Sequence, residues 1–382
     1  MTGLRAGTIV VSIAMIAIMG GCKGKKSDAI RIGQFAALTG STATFGEATS
    51  RGVEMAVEEA NAQGGIDGRK IELLTEDTQS KPDVARTVVT KLVSEGVLAV
   101  IGEVASTRTM AAAPIAQAAK IPLVTPSSTN PEVTRKGDYI FRVCFTDDFQ
   151  AAVVAHFAYD RGYRKAAIFK DIKNDYSVAF AAVFSAEFQK LGGKIVSEQS
   201  YQADNADFKA QLTTIRSAGP DCVLVPGYYG DVGTIGRQAR DIGLNVPLLG
   251  GDGWDSPKLI EGAGTALEGC FFSDHYFSPD LKEPATQKFI ADFQKKYGVK
   301  PDALAALGYD AAGIVIAAMK RAKSLTGPAI RDALAQTKDY PGVAGKVTID
   351  ADRNARKAAL IMQVRGKETK VFRSYTPEQI GK

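Results

Sequence analysis

The sequence predicts an α/β protein of two similar lobes, each a mainly parallel sheet with helices on both faces. Three observations carry this. From residue 30 onward, short apolar or alternating strand segments take turns with helical ones, the order that builds parallel sheets. That alternation pauses near residues 139–148 and then restarts. And 382 residues, 45% of them hydrophobic, suffice for two ordinary domains with real cores.

Taken in order, residues 30–37 read as the first strand, and Thr39-Gly40-Ser41 as a turn. Residues 47–61 form a helix with Val53, Ala56, Val57 and Ala60 on one face, stopped by Gly64-Gly65. Residues 70–78 are a strand, and 82–95 a helix facing inward through Val84, Val88 and Leu92. The run 97–101 is short and β-branched, as a buried parallel strand should be, and breaks at Gly102. A helix is expected over 111–119 with Pro114 in its first turn. Residues 121–124 repeat the strand and break at Pro126. A strand over 139–145 closes the first series, and Thr146-Asp147-Asp148 opens the second.

The second series has strands at 166–170, 195–201, 222–226 and 247–249, with helices at 177–191, 207–217 and 231–242 between them. A strand over 270–277 precedes helices at 285–297, 302–323 and 327–338. The tail, 345–372, reads as strands and tight turns.

The formal net charge of +5, one unit of it from Arg5, is scattered, with no basic block of the nucleic-acid type. Residues 1–21 form a targeting segment: Arg5 is its only charge, residues 6–19 are apolar, and Met19-Gly20-Gly21-Cys22 offers a small-residue cleavage context. Residues 22–28 are a polar tether. Residues 303–319 are apolar but contain Asp310, which argues against a membrane span. Cys144, Cys222 and Cys270 lie in apolar runs without metal spacing and read as small core residues.

Catalytic signatures are missing. The two histidines, His156 and His275, lie in no triad context, and no G-x-S-x-G, phosphate-binding or dinucleotide motif is present. Asp350-Ala351-Asp352-Arg353-Asn354 begins like a calcium loop but has Ala355 and Ile361 where such a loop needs Gly and Glu, so it reads as a polar turn. No cofactor is expected.

What the chain offers instead is turns at strand ends. Val104, Ala105, Ser106 and Thr107 follow one strand, and Ser127, Ser128 and Thr129 follow its neighbour. Ligands of open α/β sheets sit outside the carboxyl ends of strands, where hydroxyls and free N–H groups suit a carboxylate. The same residues also make ordinary caps and turns. In the second series Pro226-Gly227-Tyr228-Tyr229 and Gly250-Gly251-Asp252-Gly253-Trp254 hold equivalent places. Asp252 can pair with an ammonium while Tyr228, Tyr229 and Trp254, the only tryptophan, wall an apolar side chain; Asp252 equally suits a helix cap or an Asx turn. Hydroxyls on one lobe and a carboxylate with aromatics on the other are complementary to an α-amino acid.

With these residues the chain resembles the periplasmic leucine/isoleucine/valine-binding proteins, amino-acid-binding components of ABC importers with the type I periplasmic-binding fold. The resemblance covers residues 29–375 and rests on Leu38-Thr39-Gly40, Asn61-Ala62-Gln63-Gly64-Gly65-Ile66, Val100-Ile101-Gly102, the run 125–129, Tyr228 and Gly251-Asp252-Gly253. It implies two doubly wound parallel-sheet lobes, 29–145 with 277–343 and 146–276 with 344–382, joined by three hinge crossings near 144–148, 274–278 and 343–347. It also implies that Ser106 and Thr129 bind the α-carboxylate, that Ser127 serves the ligand's polar end, and that Tyr228 and Asp252 take the ammonium. Phe45, Val104, Tyr176 and Leu304 then lie near the ligand side chain. The family often has Tyr at the Phe45 position and Glu at the Asp252 position, and Ala105 removes a cysteine that some members pair in a disulfide. Cys22 resembles the lipidated cysteine of a bacterial lipoprotein.

The expectation is therefore a monomeric, lipid-tethered, extracytoplasmic solute-binding protein without enzymatic activity. It would hand an aliphatic amino acid, most simply Leu, Ile or Val, to a membrane permease, and bind no nucleic acid. The alternatives are another small ligand, such as an amide or an aromatic acid, and a ligand-sensing module for a membrane receptor.

Overall fold

The computed structural model describes residues 1–3, 29–203, 205–275, 277 and 282–381. The targeting segment from residue 4, the tether and Cys22 lie outside the described residues.

The first sheet is built from β1 (Ile30–Ala36), β2 (Ile71–Asp77), β3 (Ala99–Ile101), β4 (Leu123–Thr125) and β5 (Ile140–Arg142), in the order β2-β1-β3-β4-β5. All its pairings are parallel. Central β1 is buried along nearly its whole length and edge strand β2 is half-exposed, as expected when helices cover both faces. Those helices are α1 (Ala43–Ala62), α2 (Pro82–Ser94) and α3 (Ser106–Ala118).

The second lobe starts with α4 (Asp147–Asp160), β6 (Lys165–Asp171), α5 (Asp175–Lys190), β7 (Lys194–Tyr201), α6 (Lys209–Ser217), β8 (Cys222–Leu224), α7 (Tyr229–Asp241), β9 (Leu248–Gly250), α8 (Pro257–Ala263) and β10 (Phe271–His275). Three helices follow: α9 (Pro284–Tyr297), α10 (Ala303–Arg321) and α11 (Gly327–Ala335). The chain ends with β11 (Ala359–Arg365), β12 (Glu368–Tyr375) and the short α12 (Pro377–Ile380). The seven-stranded sheet runs β12-β11-β10-β9-β8-β6-β7, antiparallel only where β11 and β12 join it.

Strand order locates the crevice. In the first lobe the winding reverses between β1 and β3, and in the second between β6 and β8. Ligand crevices of doubly wound sheets open at such switch points.

Although α10 follows the second lobe in sequence, it packs on α1 of the first. A Cβ on Gly52 would stand 2.0 Å from the Ala305 carbonyl oxygen, and one on Gly308 would stand 2.3 Å from that of Thr49. Reciprocal glycines thus let the two helix backbones touch. Helix α10 has the length and apolarity of a membrane span, but most of it is buried in the lobe. Its Asp310 is fully buried and accepts the N–H groups of Val343 at 2.7 Å and Ala344 at 3.0 Å.

Two expectations need correction. Helix α3 starts at Ser106, so Pro114 lies inside it rather than in its first turn. The early start follows from Glu103, whose carboxylate accepts the Ala105 N–H at 2.7 Å and holds the chain at the point of entry. Also, the chain stays with the first lobe past residues 343–347. The Asp350–Asn354 turn packs on β5: the Arg142 N–H donates to the Arg353 carbonyl at 3.1 Å, and Arg142 Nε to Asn354 Oδ1 at 2.6 Å. The third crossing therefore comes after Asn354.

Cys144, Cys222 and Cys270 are free and buried. Burial pushes the Cys144 thiol up to about 12 and raises the other two.

Candidate functional site

Four turns meet between the lobes. Those after β3 and β4 lie side by side because the strands pair, Val100 opposite Leu123. Glu103 ties them together. Its carboxylate pairs with Arg108 Nε at 2.7 Å, both groups buried, and accepts Thr78 Oγ1 at 3.1 Å. Its backbone carbonyl accepts the hydroxyls of Thr125 at 2.6 Å and Ser128 at 2.7 Å. Ser106 Oγ then accepts the Asn130 N–H at 3.1 Å. The turn after β4 is also closed from within, the Ser128 N–H donating to Thr125 Oγ1 at 2.9 Å, so Glu103 and the turn's own bond hold the hydroxyls together.

Opposite them, Tyr228 ends the turn after β8 and Asp252 starts a short 3₁₀ turn after β9. Asp252 is 7% exposed. Its Oδ1 accepts Gln150 Nε2 at 2.8 Å, and its Oδ2 lies 3.2 Å from His275 Nε2 and accepts Ser127 Oγ at 3.5 Å. Among the described residues no Lys or Arg lies within ion-pair distance of it.

Phe45, Val104, Ser106, Ser127, Thr129, Tyr176, Tyr228, Asp252, Gly253 and Leu304 line one closed cavity of about 10 Å3. It falls below the roughly 300–1,000 Å3 of pockets for drug-sized ligands. Its aromatic wall is ordered: Tyr176 stacks on Tyr228 at 5.7 Å, and Phe45 meets Tyr228 edge-on at 5.6 Å. Burial, then the Asp252 charge, raises the Tyr176 phenol, and that hydroxyl accepts the Gly253 N–H at 3.3 Å.

The lobes are closed over this cavity. Thr44 Oγ1 and Ser256 Oγ are 3.0 Å apart, Asn130 Nδ2 donates to the Asp175 carbonyl at 3.0 Å, and the Asp175 N–H donates to Thr107 Oγ1 at 3.1 Å. Buried carboxyl groups feel the Asp252 charge. Burial raises Asp147 to about 8, with the Asp252 charge the next cause, and raises Asp302 to about 6. Burial, then the Asp302 charge, raises Asp255, and burial, then the Asp255 charge, raises Asp274.

Of the eleven ligand residues expected from the sequence, Ala105 and Trp254 are not among the cavity lining. Ala105 precedes α3 with its N–H on Glu103. Trp254 is fully buried in the second lobe, its indole N–H donating to the Val225 carbonyl at 3.0 Å and its ring against Phe272. The glycines around Asp252 explain this: a Cβ on Gly250 would stand 2.1 Å from the Trp254 ring, and one on Gly251 2.4 Å from the Tyr176 hydroxyl. They make room for the protein's own rings rather than for a ligand. Ser127 is in the lining, and its hydroxyl lies 2.8 Å from His275 Nε2 of the second lobe.

Sequence reasoning missed Glu103, Gln150 and His275. Gln150 lies in the second turn of α4 and His275 ends an apolar strand, where both look like core positions.

Residues 29–369 match the family described as periplasmic binding protein. The chain is similar to Leu/Ile/Val-binding protein homolog 2 of Brucella abortus, 31% identical over 87% of this chain and 89% of that one. Among solved structures it resembles the leucine-binding protein LivK of Thermotoga maritima, 36% identical with a TM-score of 0.89 over 92% of this chain and 99% of that one. It also resembles LivJ of Streptococcus pneumoniae in complex with isoleucine, 34% identical with a TM-score of 0.85 over 91% and 99%. The chain therefore belongs to the periplasmic binding protein family, as an extracytoplasmic and non-enzymatic transport component.

Proposed function

We propose that this chain captures a branched-chain or other aliphatic amino acid between its lobes and delivers it to the permease of an ABC importer, acting as a monomer tethered by lipid at Cys22. One observation carries the reading: a buried carboxyl group with no Lys or Arg partner among the described residues, Asp252, faces two hydroxyl-bearing turns across a small cavity. Buried charge is costly unless paired, so Asp252 calls for a cationic group brought by the ligand. Ser106 and Thr129 receive the α-carboxylate. Phe45, Val104, Tyr176, Tyr228 and Leu304 enclose an apolar side chain, each buried methylene gaining about 0.8 kcal/mol. The leucine-binding and isoleucine-bound relatives support the same class of ligand.

The test is a thermal-shift screen of the mature protein, unfolded and refolded to remove co-purified ligand, against all amino acids and common small acids. A ligand at about 100 times its Kd stabilises by about 2.7 kcal/mol. Leu, Ile or Val should give the largest shifts. No response to any amino acid, with a response to a neutral amide or an aromatic acid, overturns the reading.

A further inference from the structure

We propose that His275 is a positioning residue that aims Asp252 at a ligand ammonium, so that the second lobe selects an amino acid over a compound of the same skeleton without the ammonium. The inference rests on the amino-acid reading above and adds to it the residue that makes the charged end selective.

His275 ends β10, beside β9, whose carboxyl end carries Asp252; Phe272 pairs with Gly250. The imidazole is 1% exposed and stacks on Phe145 at 4.3 Å and 28°, which fixes the plane of the ring. Its Nε2 is 2.8 Å from Ser127 Oγ and 3.2 Å from Asp252 Oδ2, while Nδ1 is buried with no hydrogen-bond partner among the described residues. A proton on Nδ1 would be a buried donor facing no acceptor, and Nε2 would then offer only a lone pair to a carboxylate. The geometry therefore assigns the proton to Nε2. From there it reaches Ser127 Oγ and Asp252 Oδ2, and the Ser127 hydroxyl donates on to the same carboxylate oxygen at 3.5 Å.

Both oxygens of Asp252 now have fixed donors, Gln150 on Oδ1 and the His275–Ser127 pair on Oδ2. A carboxylate has about four acceptor positions, so about one, on Oδ1, remains for the ligand. The donors matter for what they are. An amide, a hydroxyl and an imidazole with one proton orient the carboxylate without cancelling its charge. An Arg or Lys in the same place would orient and neutralise it at once. The ligand ammonium is left as the counter-charge.

The experiment compares wild type, His275→Phe and His275→Gln by calorimetry with leucine and with 4-methylpentanoate, which keeps the skeleton and lacks the ammonium. Losing a hydrogen bond to a charged group predicts about ten- to hundredfold weaker leucine binding in His275→Phe. Binding of 4-methylpentanoate should stay within about threefold, and His275→Gln, which restores a donor, should bring leucine back to within about threefold of wild type. Equal losses for both ligands in His275→Phe, unchanged leucine binding in that variant, or no rescue by His275→Gln overturns the assignment. If His275→Phe fails to fold, His275→Gln and the ring's own 15N spectrum decide. Ligand-free wild type should show the proton on Nε2, and an Nδ1-protonated or doubly protonated ring overturns the assignment even if leucine binds. Wild type that binds no amino acid, yet shows the Nε2 proton, would instead overturn the amino-acid reading.

Discussion

Gln150 grips Asp252 at two points: its amide nitrogen donates to Oδ1 at 2.8 Å, and its amide oxygen accepts the Asp252 N–H at 3.3 Å. The same amide nitrogen donates to Asp147 Oδ1 at 2.8 Å, and the oxygen accepts Ser273 Oγ at 2.9 Å. With every donor and acceptor used, Gln150 can hold the Asp252 backbone and side chain in a single arrangement.

That arrangement makes Asp252 the residue whose loss should hurt most. Asp252→Asn keeps the volume and removes the charge. Leaving a buried ammonium unpaired costs roughly 3–5 kcal/mol, or about two to four decades in Kd. Calorimetry with leucine that finds the variant within a factor of about three of wild type would reduce Asp252 to a turn residue.

Asp147 should make stability depend on pH. Burial, followed by the Asp252 charge, lifts its carboxyl from 3.8 to about 8. A carboxyl raised by folding binds its proton more tightly in the native state, so its contribution is fully present below the unfolded value and is lost as pH rises through the folded one. Stability should fall between about pH 4 and pH 8 on this account. In Asp147→Asn, denaturant titrations across that range should give a flatter curve, and an unchanged slope would mean that another group carries it.

Glu103 should matter for stability before it matters for ligand. Breaking a buried ion pair from one side costs about 3–5 kcal/mol. Glu103→Ala would strand Arg108 and release the Ala105 N–H and Thr78 together. A urea midpoint close to wild type would show that Arg108 finds another partner.

Trp254 gives a spectroscopic check. Its indole is fully buried and hydrogen-bonded within the second lobe, away from the cavity lining. Its emission and its shielding from acrylamide should stay nearly constant as leucine is added. Quenching that falls as ligand binds would mean that the open form exposes the ring.

The anchor is tested at Cys22. Cys22→Ser should release the protein from membranes while leucine binding persists. Mass spectrometry of the native N-terminus that finds an unmodified Cys22 would rule the lipid out.

What could be read in advance were features carried by neighbouring residues. The turns at Ser106, Ser127, Tyr228 and Asp252 announce themselves because a strand stops at Gly or Pro and polar groups follow at once. Gln150 and His275 carry no such mark. They stand 102 and 23 positions from Asp252, and only the packing of α4 and the β9–β10 pairing bring them to it. Trp254 misleads for the opposite reason. Two positions from Asp252 in sequence, it is turned into the lobe by the 3₁₀ turn, in space that Gly250 leaves open. The start of α3 was hidden as well, because the cap comes from Glu103 rather than from a Ser or Thr at the helix entrance.

The three cysteines have a consequence for the life of the protein outside the cytoplasm. Each thiol is buried and held in its protonated form, so an oxidising milieu finds no thiolate to attack while the fold is intact. Unfolding exposes all three at once, in a compartment that favours disulfides. Any pair formed then would join sulfurs that are free in the native fold, and the third would be free to cross-link to another chain. Reversible opening would thus pass into permanent loss, and the working lifetime of the molecule would be set by its rate of unfolding rather than by its equilibrium stability.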